Sequence, residues 1–284
     1  MPAHPTDNSP SPLAINLAHV VDVLGELWPA SGAEEWDAPG LVTGNLDQPV
    51  RSILLAVDAV DATVAQALDE GCDLLVTHHP LLMRGVSSVA EERYKGSLIA
   101  RLIRGNTALL AAHTNADVVA TGTSAVMADA LGVSTTVPLT ASVQPGTGLG
   151  RVGELPESMT LGDLARRVAE VLPATAQGVR VAGDYGQQVR RIALCAGAGD
   201  SLLAHPLVTS ADVYITSDLR HHAAQESREQ SALSDGPALI DVSHWAAEWL
   251  WLERAAQEIR ASLPDVTVTV SDIRTDPWDF VIVQ

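Results

Sequence analysis

The feature that most constrains this chain is a regular alternation of short apolar runs with longer stretches of helical periodicity. Ile53 to Val57, Cys72 to Thr77 and Ala108 to Ala112 are compact apolar runs, and Ala59 to Glu70, Tyr94 to Arg104 and Ser124 to Leu131 separate or follow them. Short apolar runs between polar stretches read as buried strands, and the longer amphipathic stretches read as helices. Strand–helix–strand succession demands parallel pairing through helical crossovers, which predicts an α/β layer architecture. A first helix is expected over Leu13 to Leu27. Glu34 to Gly44, with two glycines and a proline, reads as a loop. The same grammar returns later, with strands at Val179 to Gly183, Ile192 to Ala196, Val213 to Thr216 and Leu239 to Val242. Helices are expected over Leu161 to Val171 and Trp245 to Ser262, with closing strands at Val266 to Val270 and Phe280 to Val283.

The two stretches echo each other. Ile53 stands 21 residues before Leu74, and Ile192 stands 21 residues before Val213. His113 is followed at i+4 by Asp117, and His244 at i+4 by Glu248, each pair after an expected strand. This is the signal of an internal duplication. It divides the chain into a Pro/Ser-rich leader over residues 1–12, a first α/β half over 13–135 and a second over 136–284. The Thr-, Pro- and Gly-rich stretch Val137 to Gly150 serves as the connection. The leader lacks a basic stretch followed by an apolar run and reads as a frayed end, not as a signal peptide.

Charge narrows the partners. With 35 acidic and 17 basic side chains the chain carries −18, and no Lys/Arg cluster offers a local exception. Such a surface repels phosphate backbones, so nucleic acid is not the expected ligand, and the balance suits a soluble cytoplasmic protein. Cys72 and Cys195 lie far apart within apolar runs and support neither a disulfide framework nor a thiolate zinc site. No window of about 18 residues is uncharged and apolar, so no membrane span is expected.

The chemistry lies in the histidines and carboxylates that follow strands. His78-His79 ends the run Asp73 to Thr77, just before Pro80, which cannot donate to a ladder. Ligand sites of open parallel sheets gather at the carboxyl ends of strands. Adjacent residues of an extended segment point to opposite sides, so two neighbouring imidazoles suit two neighbouring cations better than one. His244 and Glu248 share one helix face, and a carboxylate can bridge two cations. Mixed nitrogen and oxygen donors suit zinc, iron, manganese or nickel. Each feature also has a plain reading: a turn histidine, a supporting His113, or a solvated i,i+4 pair. Three of them at strand ends favour the metal. Asp218 stands where His79 would fall in the second half, and could orient substrate, support a ligand or cap a helix with Ser217. His221 and His222 are alternates for ligation but read as helix surface. Gly197-Ala198-Gly199 is a weak candidate anion cradle.

These residues resemble a known family, the dinuclear metal-centre proteins called GTP cyclohydrolase type 2 homologues or NGG-interacting-factor-like proteins. The matching stretches are Glu35-Trp36-Asp37 with Gly40-Leu41, Thr77-His78-His79-Pro80, His113 to Asp117, Gly150 to Gly153, Thr216 to Asp218 with His221-His222, and Asp241 through His244 to Glu248. Ala38 and Pro39 depart from the Asn and branched apolar residue common in the family, and Ser217 from its Gly. The resemblance implies two similar, intertwined α/β halves with mixed sheets flanked by helices and a metal cleft between them. It implies a homohexamer built as a trimer of dimers. It also implies two divalent cations held by His78, His79, Asp117, His244 and Glu248, with Glu248 touching both. Some relatives carry a domain between the halves, for which Leu131 to Gly150 leaves no room.

The function expected on these grounds is metal-dependent hydrolysis of a small nucleotide-like or phosphorylated molecule, with His113 or Asp218 carrying the proton. The alternative is a non-enzymatic hexamer that stores, delivers or buffers divalent metal, or serves as a regulatory partner.

Overall fold

The structure, a computed structural model, describes residues 15–142 and 144–283. Its principal elements run α1 (Leu17–Leu27), β1 (Gly40–Thr43), β2 (Ser52–Ala56), α2 (Asp61–Asp69), β3 (Leu74–Thr77), α3 (Tyr94–Arg104), β4 (Ala108–Ala111), α4 (Thr114–Asp117), α5 (Thr123–Leu131) and β5 (Ser134–Val137). They continue β6 (Arg151–Thr160), α6 (Leu161–Val171), β7 (Arg180–Ala182), β8 (Gln188–Ala198), α7 (Pro206–Thr209), β9 (Val213–Ser217), α8 (His221–Ser234), β10 (Ala238–Val242), α9 (His244–Ser262) and β11 (Thr267–Val270). The leader over residues 1–12 lies outside the described residues.

Two mixed sheets result. The first has five strands in the order β11-β2-β3-β4-β1, and the second has six in the order β7-β10-β9-β8-β6-β5. In each, three consecutive strands pair in parallel and an antiparallel strand closes the far side: β2, β3, β4 and β1 in one, β8, β9, β10 and β7 in the other. The 21-residue echo is a shared register, since Ile53 pairs with Leu74 and Ile192 with Val213. Equivalent aspartates brace both crossovers. Asp73 Oδ2 accepts from the backbone N–H of Arg51 (2.8 Å) and Ser52 (3.2 Å), and Asp212 Oδ2 from those of Arg190 and Arg191 (2.7 Å each). The halves interlock because β11, from the end of the chain, returns to pair with β2 in the first sheet.

The strands are buried on both faces, as parallel strands under helices must be. Ile53 and Leu55 of β2 and Val213 and Ile215 of β9 join one core shared by both sheets with α1, α5 and α9. Leu54 and Leu75 face the other way, under Leu98 and Leu102 of α3. Tyr214 and Leu239 face a third cluster beside α7. The long helix α9 therefore lies in the middle layer, with Trp251, Leu252, Ala255, Ala256 and Ile259 fully buried. Glu248 stands on that same apolar stripe.

Three expectations are corrected. Helix α1 starts at Leu17, where Asn16 caps it by accepting from the backbone N–H of His19 at 3.0 Å, so Ile15 and Asn16 are not helical as expected, and the expected start at Leu13 lies outside the described residues. Gly40 to Thr43, read as loop, is strand β1 on the edge of the first sheet. Its glycine-rich surroundings hid a strand whose pairing lies wholly with β4. Phe280 to Val283, read as a strand, pairs with no strand among the described residues and is exposed throughout. Among the described residues no helix is long and apolar enough to cross a membrane.

Candidate metal centre

Four histidines and two carboxylates meet where the two sheets face each other, and each is delivered by a different local device. His78 and His79 follow β3, where the backbone N–H groups of both are taken up by Ala56 and Val57 carbonyls (3.1 and 2.8 Å), extending the pairing with β2 past the last strand residue. His113 follows β4. Asp117 ends the single turn α4, and the Thr123 hydroxyl donates to its Oδ1 at 2.5 Å. His244 opens α9, whose N-cap is Ser243 with its hydroxyl accepting from Ala246 N–H at 3.2 Å. Glu248 follows one helical turn later.

The Nδ1 atom of each imidazole is committed to an oxygen. His78 Nδ1 donates to the Ala112 carbonyl (2.8 Å), His79 Nδ1 to Asp58 Oδ1 (2.7 Å), His113 Nδ1 to Asp37 Oδ1 (2.8 Å) and His244 Nδ1 to Asp218 Oδ2 (2.8 Å). With the Nδ1 side of every ring taken up by an oxygen, the Nε2 side is the one turned toward the cluster. Three Nε2 atoms converge on one carboxylate: His79 on Glu248 Oε2 at 2.9 Å, His244 on Oε1 at 2.9 Å, and His78 on Oε1 at 3.4 Å. His78 Nε2 also lies 3.6 Å from Asp117 Oδ1, and His79 Nε2 lies 3.2 Å from His244 Nε2. The His113 ring stands 5.2 Å from that of His78 and 5.5 Å from that of His79, centre to centre.

These residues fit a metal. The donor atoms of His78, His79 and His113 lie within 4.8 Å of one another, as do those of His79, His244 and Glu248, and each group could hold a metal ion. His78 Nε2 and Glu248 Oε2 are buried and complete no hydrogen bond, the 2.9 Å approach of His79 to the latter being poorly aligned for one. An unsatisfied buried polar atom costs about 1–3 kcal/mol, more when charged. Two lone pairs 3.2 Å apart, on His79 and His244, repel unless a proton or a cation lies with them. The charge state follows. Burial opposes a charge on Glu248, but His244, His79 and His78 hold its carboxyl well below the usual range. Burial likewise opposes protonation of His79 and His244, yet Glu248, with Asp58 or Asp218, lifts them to about 10 and about 11. Burial raises the Asp117 carboxyl, and Glu248 adds to the rise. Burial, with His78, lowers His113. Cys195 lines the same cavity but burial, with Asp117 and Glu248, pushes its thiol up to about 12, so it supplies no ready thiolate.

The site opens into a cavity of about 580 Å³. Neither Lys nor Arg lines it. His221 and His222 are exposed at the start of α8 and take no part, and α8 begins without the side-chain cap considered for Ser217 or Asp218. Gly197 lines the cavity beside the donor cluster. It sits at φ +79°, and a Cβ there would lie 2.6 Å from Glu248 Oε1 and 3.5 Å from His244 Nε2. Its role is to be absent as a side chain.

Sequence reasoning missed the outer supports. Asp37 holds His113 and also accepts from the Thr114 N–H (3.0 Å) and hydroxyl (2.5 Å). Asp58 holds His79 and accepts from the Thr275 hydroxyl, while Asp276 Oδ2 accepts from the Ser243 hydroxyl at 2.5 Å. The segment after β11 thus holds both the Asp58 support of His79 and the Ser243 cap of the helix that carries His244. Asp37 carried a signal in its Trp-Asp motif. Asp58, Thr275 and Asp276 carried none.

A family model for Duf34/NIF3 (NGG1p interacting factor 3) matches residues 15–277. The chain belongs to this family. A Streptomyces coelicolor relative named GTP cyclohydrolase 1 type 2 homolog is 45% identical, over 92% of this chain and 93% of its own. A Mycobacterium tuberculosis relative of the same name is 33% identical, over 94% and 97%, in an alignment of 378 positions, more than this chain contains. Among solved structures, a Bacillus cereus protein related to NIF3 matches with TM-score 0.86 at 22% identity, over 95% of this chain and all of the other. A Staphylococcus aureus hypothetical protein matches at 0.84 and 26%, over 95% and 100%. The fold is that of these family members.

Two outcomes are expected. Gly197→Ala should lower both metal occupancy and melting temperature, because it adds about 1–2 kcal/mol of left-handed backbone strain to the collision with Glu248. At roughly 2–4 °C per kcal/mol for a chain of this order, differential scanning calorimetry resolves the shift. Thr275→Val should weaken divalent-metal binding about 10-fold while Thr275→Ser preserves it, measured by titration calorimetry after chelation. Equal affinities in the two variants would remove the segment after β11 from the site.

Proposed function

We propose that this protein binds two divalent cations and uses them to hydrolyse a small nucleotide-like or phosphorylated molecule. The observation that carries the reading is the convergence of imidazole Nε2 atoms on Glu248 and Asp117 at the floor of a cavity that, among the described residues, neither Lys nor Arg lines. His78, His79, Asp117, His244 and Glu248 would hold the ions. The donor set, two carboxylates and neutral imidazoles without thiolate, suits zinc, iron, manganese or nickel. When bound, such a pair supplies Lewis acidity toward a substrate oxygen and lowers the pKa of water.

The chain's own residues supply the rest. Asp58 and Asp218 keep the His79 and His244 rings in the Nδ1–H tautomer, and the Ala112 carbonyl does so for His78. Thr123 fixes the rotamer of Asp117. His113, kept neutral by burial and held at Nδ1 by Asp37, presents a basic Nε2 beside His78 and His79 and is the residue we assign to take up a proton. Asp218, more exposed and bound to His244, is the second candidate proton carrier. A cavity of about 580 Å³ admits a small molecule and not a polymer. The shared name of the relatives points to a guanosine triphosphate-like substrate class.

We propose further that the chain works as a homohexamer. Helix α8 buries none of its residues, and Trp278, Phe280, Val281, Ile282 and Val283 form an exposed apolar run at the end of the chain. Exposed runs of this kind are usual at contacts between subunits.

Metal analysis of protein purified without chelators should find about two ions per chain. His78→Ala and Glu248→Ala should each lose metal and abolish turnover on a nucleotide panel while circular dichroism is retained. Two ions with no turnover on any compound would favour a protein that holds metal without catalysis. Sedimentation should return a hexamer for the full chain and smaller species for the double variant Phe280→Asp, Ile282→Asp. An unchanged mass would place the contacts elsewhere.

A further inference from the structure

One large aromatic side chain borders the cavity without being consumed by the core. Trp36 lines it and is 58% exposed. Its ring meets the edge of His113 at 5.8 Å between centres and 77° between planes, which places it next to the metal-ligating cluster. An indole left so open gives up most of the apolar burial that ordinarily fixes a tryptophan. Yet the loop that carries it is stitched down. The adjacent Asp37 is bonded to His113 and twice to Thr114, and Glu34 N–H donates to the Thr114 hydroxyl at 2.9 Å. The scaffold fixes the loop that carries the indole and leaves most of its surface open to the cavity side.

The remaining lining defines what could lie there. Met83, Pro80, Leu149 and Leu202 contribute apolar surface, and no Lys or Arg is available to read a phosphate or carboxylate. Charge recognition in this cavity is confined to the donor cluster. Away from it, the cavity offers an aromatic face and aliphatic walls in a volume of nucleoside size.

We infer that Trp36 is a stacking platform for a flat heteroaromatic ring of the substrate, positioned so that the ring's polar edge meets the metal cluster. This rests on the cavity's being the substrate site proposed above. It goes beyond that reading in making ring stacking, and not side-chain contacts to phosphate, the source of selectivity. Stacking tolerates any planar base and discriminates against sugars and aliphatic phosphates, since every heteroaromatic base has a π-face and ribose has none.

The test uses guanosine and nicotinamide as aromatic probes, with ribose and ribose 5-phosphate as controls, titrated calorimetrically into the full-length protein. Each titration is run on metal-loaded and on chelator-treated samples. The aromatic probes should bind and ribose should not. Trp36→Ala should weaken guanosine binding at least about five-fold, Trp36→Phe should stay close to the wild type, and Tyr185→Ala, an exposed aromatic that does not line the cavity, should change nothing. Metal content should be the same in all three variants, which separates loss of stacking from loss of the metal cluster. The Trp36 effect should persist after chelation, whereas failure of the dinuclear reading would appear as absent metal with stacking intact. Guanosine affinity equal to that of ribose, or unchanged in Trp36→Ala, would overturn the inference.

Discussion

The buried carboxylate of Glu248 is the constraint on which the rest of the structure turns. It stands on the apolar stripe of α9, in line with Trp251, Leu252 and Ala255, where a charge without partners is not tolerated. Three imidazoles answer it. Each of those needs its own Nδ1 satisfied, and Ala112, Asp58 and Asp218 answer in turn. Compensation therefore spreads outward from one atom pair through two layers of side chains. The outermost supports, Thr275 and Asp276, come from the far end of the described chain.

The duplicated architecture explains why such a cluster can exist at all. Each half delivers polar residues only at the carboxyl ends of its parallel strands, and neither half alone brings together the imidazoles of β3 and the helix α9. The return of β11 to pair with β2 binds the two sheets, and α9 fills the layer between them. The halves have diverged in chemistry while keeping their frame. Asp73 and Asp212 still perform the same backbone bracing, whereas His78-His79 in one half corresponds to Ser217-Asp218 in the other. The first half keeps imidazoles there that could hold a metal ion, and the second keeps an acceptor for His244.

The legible parts of the site are those in which local spacing carries chemistry. His78-His79 before Pro80, and His244 with Glu248 one helical turn apart, announce themselves because strand and helix periodicity dictate where such side chains point. His113 was read as a supporting residue, while the geometry groups its ring with His78 and His79 as possible donors. Asp58 was invisible. It lies 21 residues before His79 in an ordinary strand-to-helix turn, and only the parallel pairing of β2 with β3 makes them neighbours. Gly197 stood out as a possible anion cradle, and its closeness to Glu248, where a Cβ would lie 2.6 Å from Oε1, is visible only in three dimensions.

The amino-acid sequence by itself determined the α/β alternation, the repeated register and the residue types able to hold a cation, because each depends on spacing along one strand or helix. Strand boundaries at β1, the unpaired fate of Phe280 to Val283, the supports of the imidazoles and the cavity beside Trp36 were decided only in three dimensions. Their physical cause is pairing and burial between segments up to two hundred or so residues apart, such as Asp58 with Thr275. No periodicity records which distant segment will satisfy a given donor. That choice belongs to the packed chain.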